Sequence, residues 1–90
     1  GTEDLVSTQI SVNVYPNPLS SEMATVNFDN PNGTSHSFLM YSIDGKVVKT
    51  VKDIRTESFT FSGAELNDGL YIYQLREGNK VVANGKLIVR

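Results

Sequence analysis

The stretch GLYIYQLREGNKVVANGKLIV, residues 69–89, predicts the fold of this chain. Two runs of mostly apolar and β-branched residues, 69–76 and 80–89, flank the pair Gly78-Asn79. Such a pair suits a tight turn, because glycine adopts positive φ angles at little steric cost. The stretch therefore predicts a β-hairpin made of the two longest strands.

The rest of the chain repeats this apolar period of two residues, and roughly every eight to twelve residues it is interrupted by Gly, Asn, Asp or Pro. Five further strands are predicted at 10–15, 23–28, 36–43, 46–51 and 57–61. The pair Asp44-Gly45 predicts a type I′ turn between the third and the fourth strand. The fold class is predicted as all-β, an Ig-like antiparallel β-sandwich of about seven strands.

Two of these strands are apolar on both faces, so their orientation is ambiguous. The choice that points Ser42 and Gln74 to solvent places six residues inward: Leu39, Tyr41, Ile43, Tyr71, Tyr73 and Leu75. The opposite set is then expected to form a second apolar patch, covered by loops or used as a contact surface: Phe38, Met40, Leu70 and Ile72.

Composition excludes several classes of function. The chain has 90 residues, which fits one domain, and its 8 Lys and Arg are outnumbered by 10 Asp and Glu. A nucleic-acid-binding domain is expected to show a basic excess, so no nucleic-acid partner is predicted. The apolar runs are too short for a membrane-spanning helix.

The sequence offers no catalytic constellation. It has one histidine and no cysteine, which leaves no zinc site, and His36 is interpreted as a solvated loop residue. The cluster Asp29, Asn30 and Asn32 lacks the spacing of a calcium loop. The four tyrosines could line a sugar platform, but three of them lie inside strands with alternating neighbours, which favours packing in the core or at its rim. We therefore predict no enzyme, no catalytic residue, no metal site and no cofactor.

Four stretches, in order, resemble the motifs of one family: VYPNP at 14–18, YSIDGKVV at 41–48, LNDGLYIY at 66–73 and GKLIVR at 85–90. Together the chain resembles the C-terminal sorting domain, type A, of the type IX (Por) secretion system of Bacteroidetes. The resemblance covers roughly residues 11–90.

This resemblance implies a non-catalytic address. The domain, 10–90, would be recognised by the outer-membrane translocon and would direct an attached cargo protein through the periplasm and across the outer membrane. Residues 1–9 would be the linker tail from the upstream cargo. A sortase-like peptidase would remove the domain, and the cargo would be secreted or held at the cell surface.

Twelve residues follow from the motifs as recognition candidates: Pro16, Asn17, Pro18, Asp44, Gly45, Lys46, Gly69, Tyr71, Lys86, Leu87, Val89 and Arg90. The prolines should end the first strand, because they fix φ and lack an N–H donor. Gly45 and Gly69 should permit turn geometry. The terminal strand could be read by β-augmentation, and it could pair edge to edge in a dimer of the isolated domain.

One alternative stays open at this point. The same fold class serves adhesion modules of the Ig-like or fibronectin type and carbohydrate-binding modules of secreted enzymes. A carbohydrate-binding module should present a row of exposed aromatic side chains, whereas a sorting domain needs none.

Overall fold

The computed structural model describes residues 10–20 and 22–90, so the predicted linker tail, 1–9, lies outside the described residues. In the described part the chain forms seven strands and no helix. The strands are β1 (Val12–Tyr15), β2 (Met23–Phe28), β3 (His36–Ser42), β4 (Val47–Ile54), β5 (Ser58–Ser62), β6 (Gly69–Glu77) and β7 (Lys80–Val89). They build two antiparallel sheets, β1-β2-β5 and β4-β3-β6-β7. The predicted β-sandwich is confirmed.

The three-stranded sheet follows the simple alternation of its sequence. In β2 the side chains of Ala24, Val26 and Phe28 are buried, and the residues between them face outward. Across β2 and β5, Val26 lies opposite Phe59 and Ala24 opposite Phe61. No residue of these three strands is charged, so the outer face of this sheet is polar but neutral.

The four-stranded sheet buries one face of β6 as predicted, because Tyr71, Tyr73 and Leu75 are all in the core. The prediction for β3 is wrong by one residue. Phe38 and Met40 are fully buried, and they lie opposite Leu75 and Tyr73. Three residues predicted to point inward do not belong to the core: Leu39, Tyr41 and Ile43. Of the predicted apolar patch, only Leu70 and Ile72 lie outside the core.

The reason for this error lies at the end of β3. Ser42 is on the inward-facing side of the strand, but its hydroxyl donates a hydrogen bond to the carboxylate of Asp44 in the adjoining turn. A polar residue whose side chain has a hydrogen-bond partner can lie at the rim of a core. It therefore does not identify the solvent face of its strand.

The turn itself also differs from the prediction. Ser42 and Lys46 close it, with the Ser42 N–H donating to the Lys46 carbonyl oxygen at 2.8 Å. The loop thus has three residues, and Gly45 alone among them has a positive φ, of 90°. A type I′ turn would need positive φ at Asp44 as well. The extra loop residue is Ile43, whose side chain is 81% exposed.

The second hairpin matches its prediction. Glu77 pairs with Lys80 across a two-residue loop, and Gly78 has a φ of 63°. Positive φ at the first loop residue is the requirement of a type II′ turn.

The centre of the core is aromatic. The Phe38 ring lies between the two sheets, with centroid distances of 5.3 Å to Phe59, 5.6 Å to Phe61 and 5.7 Å to Tyr73. Burial in these surroundings raises the pKa of the Tyr73 phenol. His36 is also buried, with Nδ1 at 2.7 Å from the Thr34 carbonyl oxygen, so its interpretation as a solvated residue is wrong.

Candidate functional site

Residues 10–19 run beside β7 and join the two sheets. At one end the Ile10 N–H donates to the Val82 carbonyl oxygen at 2.9 Å. Between the ends, β1 leaves this edge and pairs with β2. At the other end Leu19 forms a parallel bridge with Val89. The first segment of the domain therefore closes one side of the sandwich.

The bridge at the chain terminus uses backbone groups on both sides. The Leu19 N–H donates to the Ile88 carbonyl oxygen at 2.7 Å, and the Arg90 N–H donates to the Leu19 carbonyl oxygen at 2.8 Å. The Leu19 side chain is fully buried, although the motif gave no reason to select it. A Cβ on Gly63 would meet Leu19 Cδ2 at 2.6 Å, so this position must be glycine for Leu19 to pack.

Asn17 extends the bridge with its side chain. Its Nδ2 donates to the Lys86 carbonyl oxygen at 3.0 Å, and its Oδ1 accepts from the Ile88 N–H at 3.0 Å. The amide thus offers one donor and one acceptor, as the backbone of a neighbouring strand would.

The peptide bonds before Pro16 and Pro18 are both cis. β1 ends at Tyr15, as the prolines predicted.

The terminal strand is consequently not an open edge at its last residues. Four of its outward backbone groups, between Lys86 and Arg90, already bind Asn17 or Leu19. The expectation that a partner strand is added directly at this edge is wrong for these residues, because such pairing would have to displace the 17–19 segment.

The side chains of the terminal strand divide between core and solvent. Leu87 and Val89 are buried, so these two candidates are structural. Lys86, Ile88 and Arg90 are exposed. Sequence reasoning selected Leu87 and Val89 for their motif and overlooked Ile88, which alternation places on the outer face.

The other candidates lie at the same end of the sandwich. Ser42, at the base of the β3–β4 turn, is opposite Tyr71, and Gly69 is opposite Val89. All four motif segments therefore meet at one end, although they are far apart along the chain. Gly45 and Gly69 have positive φ angles, of 90° and 153°.

Tyr71 has a structural role within this group. Its ring is buried, and its hydroxyl donates to the Asn67 carbonyl oxygen at 2.6 Å. This bond fastens the loop that precedes β6, in the manner of a tyrosine corner.

At the turn, by contrast, Asp44 and Lys46 are both exposed. A hydrogen bond from the Ser42 hydroxyl lowers the pKa of Asp44, so the turn presents a carboxylate at neutral pH.

Two further features are absent from residues 10–20 and 22–90. No group of three or more His, Cys, Asp or Glu side chains there could hold a metal ion. Nor does that part of the chain contain a helix of the length and apolarity needed to cross a membrane.

Residues 13–90 match the family described as "Secretion system C-terminal sorting domain". The chain belongs to this family. The predicted type IX sorting domain is thereby confirmed, and the match extends over nearly all of the described residues. No curated protein matches the sorting domain.

The crystal structure of an immunoglobulin-like protein from Pseudomonas aeruginosa has a similar fold, with a TM-score of 0.53 and 11% sequence identity. The similarity covers 91% of the sorting domain and 90% of that chain. At this identity the comparison concerns the fold alone, and it confirms the Ig-like architecture.

Replacing Asn17 with alanine should loosen the terminal strand without unfolding the sorting domain. The variant loses two hydrogen bonds at an exposed site, so we expect a loss of about 1–2 kcal/mol in the free energy of unfolding. Amide hydrogen exchange at Ile88 should accelerate, because its N–H would lose its acceptor. Asn84→Ala, an exposed asparagine on the same strand, is the matched control. Unchanged exchange at Ile88 in Asn17→Ala would contradict the role of the side chain.

Proposed function

We propose that the chain is a non-catalytic signal, recognised as a folded unit by the outer-membrane translocon. Membership of the sorting-domain family implies a secreted or cell-surface protein, an interaction with the type IX secretion machinery and a cargo in the same chain. Recognition directs the cargo across the outer membrane. A sortase-like peptidase then cuts within the tail that precedes the folded domain, 10–90.

The observation that carries this proposal is the meeting of the four motif segments at one end of the sandwich. Asn17 and Leu19 hold the terminal strand, and Tyr71 holds the loop before β6. This network presents a fixed surface at the end of the chain, as a receptor that reads shape requires.

The twelve candidates then divide into two roles. Eight of them build the surface: Pro16, Asn17, Pro18, Gly45, Gly69, Tyr71, Leu87 and Val89. The exposed charged residues are left to contact the translocon: Asp44, Lys46, Lys86 and Arg90. An edge-strand dimer of the isolated domain, inferred from the two long C-terminal strands, stays a prediction.

The alternative as a carbohydrate-binding module gains no support from the aromatic residues. All eight aromatic residues lie in the described part of the chain, and Tyr15 is the one with a highly exposed ring, at 48%. Phe28, Phe38, Phe61, Tyr71 and Tyr73 are in the core. A platform for stacking sugar rings needs several exposed aromatic rings in a row.

The proposal is tested by fusing residues 1–90 to the C-terminus of a reporter that carries an N-terminal export signal, in a host with a type IX system. We expect the reporter at the cell surface or in the medium, and in the periplasm of a translocon-deficient strain. Removal by the peptidase should appear as a reporter that has lost the mass of the domain. A reporter that stays in the periplasm of the competent host would overturn the proposal.

A further inference from the structure

The outer face of the four-stranded sheet is unusually apolar for a solvent-facing surface. Val47, Leu70 and Ile88 are exposed by 51%, 37% and 45%. Leu39, Tyr41 and Ile72 are half-buried beside them. We call these six residues the outer apolar face. The sequence did not predict this face as a whole, because Leu39 and Tyr41 were expected to point into the core.

The register makes this face continuous. Tyr41 lies opposite Val47 on one side and Ile72 on the other, and Leu70 lies opposite Ile88. All four strands contribute, so the face spans about 14 Å at the usual spacing of about 4.8 Å between strands. It adjoins the end of the sandwich where the motif segments meet.

Three cationic residues lie beside the outer apolar face. Lys86 lies opposite Ile72, Arg76 reaches across Gln74 to the Tyr41 hydroxyl at 3.4 Å, and Lys52 is exposed on β4. The four strands of this sheet all lie within the described residues. They contain two carboxylates, Asp53 and Glu77.

Each carboxylate lies one residue beyond one of these cations, farther from the motif end of the sheet: Asp53 follows Lys52, and Glu77 follows Arg76. Asp53 accepts hydrogen bonds from Ser35 and Arg55, which lower its pKa together with the Arg55 charge. Glu77 pairs with Lys80 at the far turn. Asp44 and Asp68 belong to the loops that precede β4 and β6, at the other end of the sheet.

We propose that the outer apolar face docks onto a protein surface of the export machinery that has an apolar centre and carboxylates at its rim. The inference rests on the proposed function and assigns its contact surface. A few well-packed side chains near the centre of an interface supply most of the affinity, and complementary charge at the rim guides association. Lys52, Arg76 and Lys86 fit such a rim.

Two other occupants fit the face less well. A second copy of the chain would oppose cations to cations, because the face itself contains no carboxylate to pair with them. A lipid surface is usually bound by an amphipathic helix that inserts Trp, Phe or Leu, whereas this face is a sheet in which Leu39, Tyr41 and Ile72 are half-buried.

The test uses the reporter fusion with residues 1–90. Leu70→Glu/Ile88→Glu places two charges in the face at partly exposed positions. Met23→Glu/Thr60→Glu places two on the outer face of the other sheet and is the matched control. Loss of two apolar contacts in an interface centre should reduce export by about tenfold or more. The control should export within about twofold of the unmodified fusion, since it leaves these contacts intact.

A second pair of variants tests the charges. Lys52→Glu/Lys86→Glu should also reduce export, whereas Lys52→Arg/Lys86→Arg should retain it.

Circular dichroism of each purified domain shows whether it is folded. If a glutamate variant fails to fold, a photo-crosslinking residue at 88 replaces it, with position 60 as its control. Crosslinks from position 88 to an outer-membrane export protein, and none from position 60, are expected.

The outcomes separate this inference from the proposed function. If the unmodified fusion is not exported, the proposed function fails. If it is exported and folded Leu70→Glu/Ile88→Glu is exported equally well, the docking face is wrong and the proposed function stands. Binding of the purified domain to anionic phosphatidylglycerol vesicles, lost in that variant, would assign the face to lipid and overturn the inference. Concentration-dependent dimers lost in that variant would overturn it in favour of a second copy.

Discussion

Phe38→Ala is expected to lower the free energy of unfolding by about 3–5 kcal/mol, the usual loss for a large aromatic side chain in a core. Phe38 is fully buried and contacts aromatic rings from both sheets, so its removal takes away contacts from both sides of the core. A domain of 90 residues has a total stability of roughly 5–13 kcal/mol. The variant should therefore be marginally folded or unfolded.

Urea denaturation of the purified domain measures this effect, and Leu39→Ala is the control. Leu39 is the next residue of the same strand and is apolar, but its side chain lies on the outer side of the sheet. We expect this substitution to cost less than about 1.5 kcal/mol. A larger loss for Leu39→Ala than for Phe38→Ala would mean that β3 has the opposite phase.

Deletion of residues 86–90 is expected to abolish the folded state. The deletion removes the buried side chains of Leu87 and Val89, each contributing roughly 1.5–3 kcal/mol through burial. It also removes every hydrogen-bond partner of Asn17 and Leu19 at this edge, and it exposes the neighbouring part of β6. The sum is comparable to the whole stability of a domain of this size.

Circular dichroism and thermal melting of the truncated domain check this expectation. The matched control is Lys86→Ala/Ile88→Ala/Arg90→Ala, which removes the exposed side chains of the same segment and retains the backbone ladder and the buried residues. We expect the control to remain folded. A cooperative melt for the truncated domain near that of the full chain would contradict the structural role of the terminal strand.

This result bears on how secretion experiments are interpreted. If truncation unfolds the domain, loss of export in the truncated fusion reports the loss of a folded signal and identifies no contact. The triple alanine variant separates the two effects, because it changes what a receptor can touch while the sandwich persists.

Local sequence patterns were sufficient to predict the strands, the class of fold and the family. Period-two alternation and turn residues act over a few neighbouring positions, so β2 and β7 were predicted with their observed bounds. The motifs were equally local, and the family match covers residues 13–90.

Contacts between distant strands select which face of β3 is buried and which residues bind the terminal strand. Both faces of β3 are apolar, so only pairing with β6 distinguishes Phe38 from Leu39. Asn17 binds Ile88 across 71 positions of sequence, and no local pattern encodes a contact of that separation. The outer apolar face and the closed terminal edge arise from these long-range pairings, because packing and register are settled between strands rather than within them.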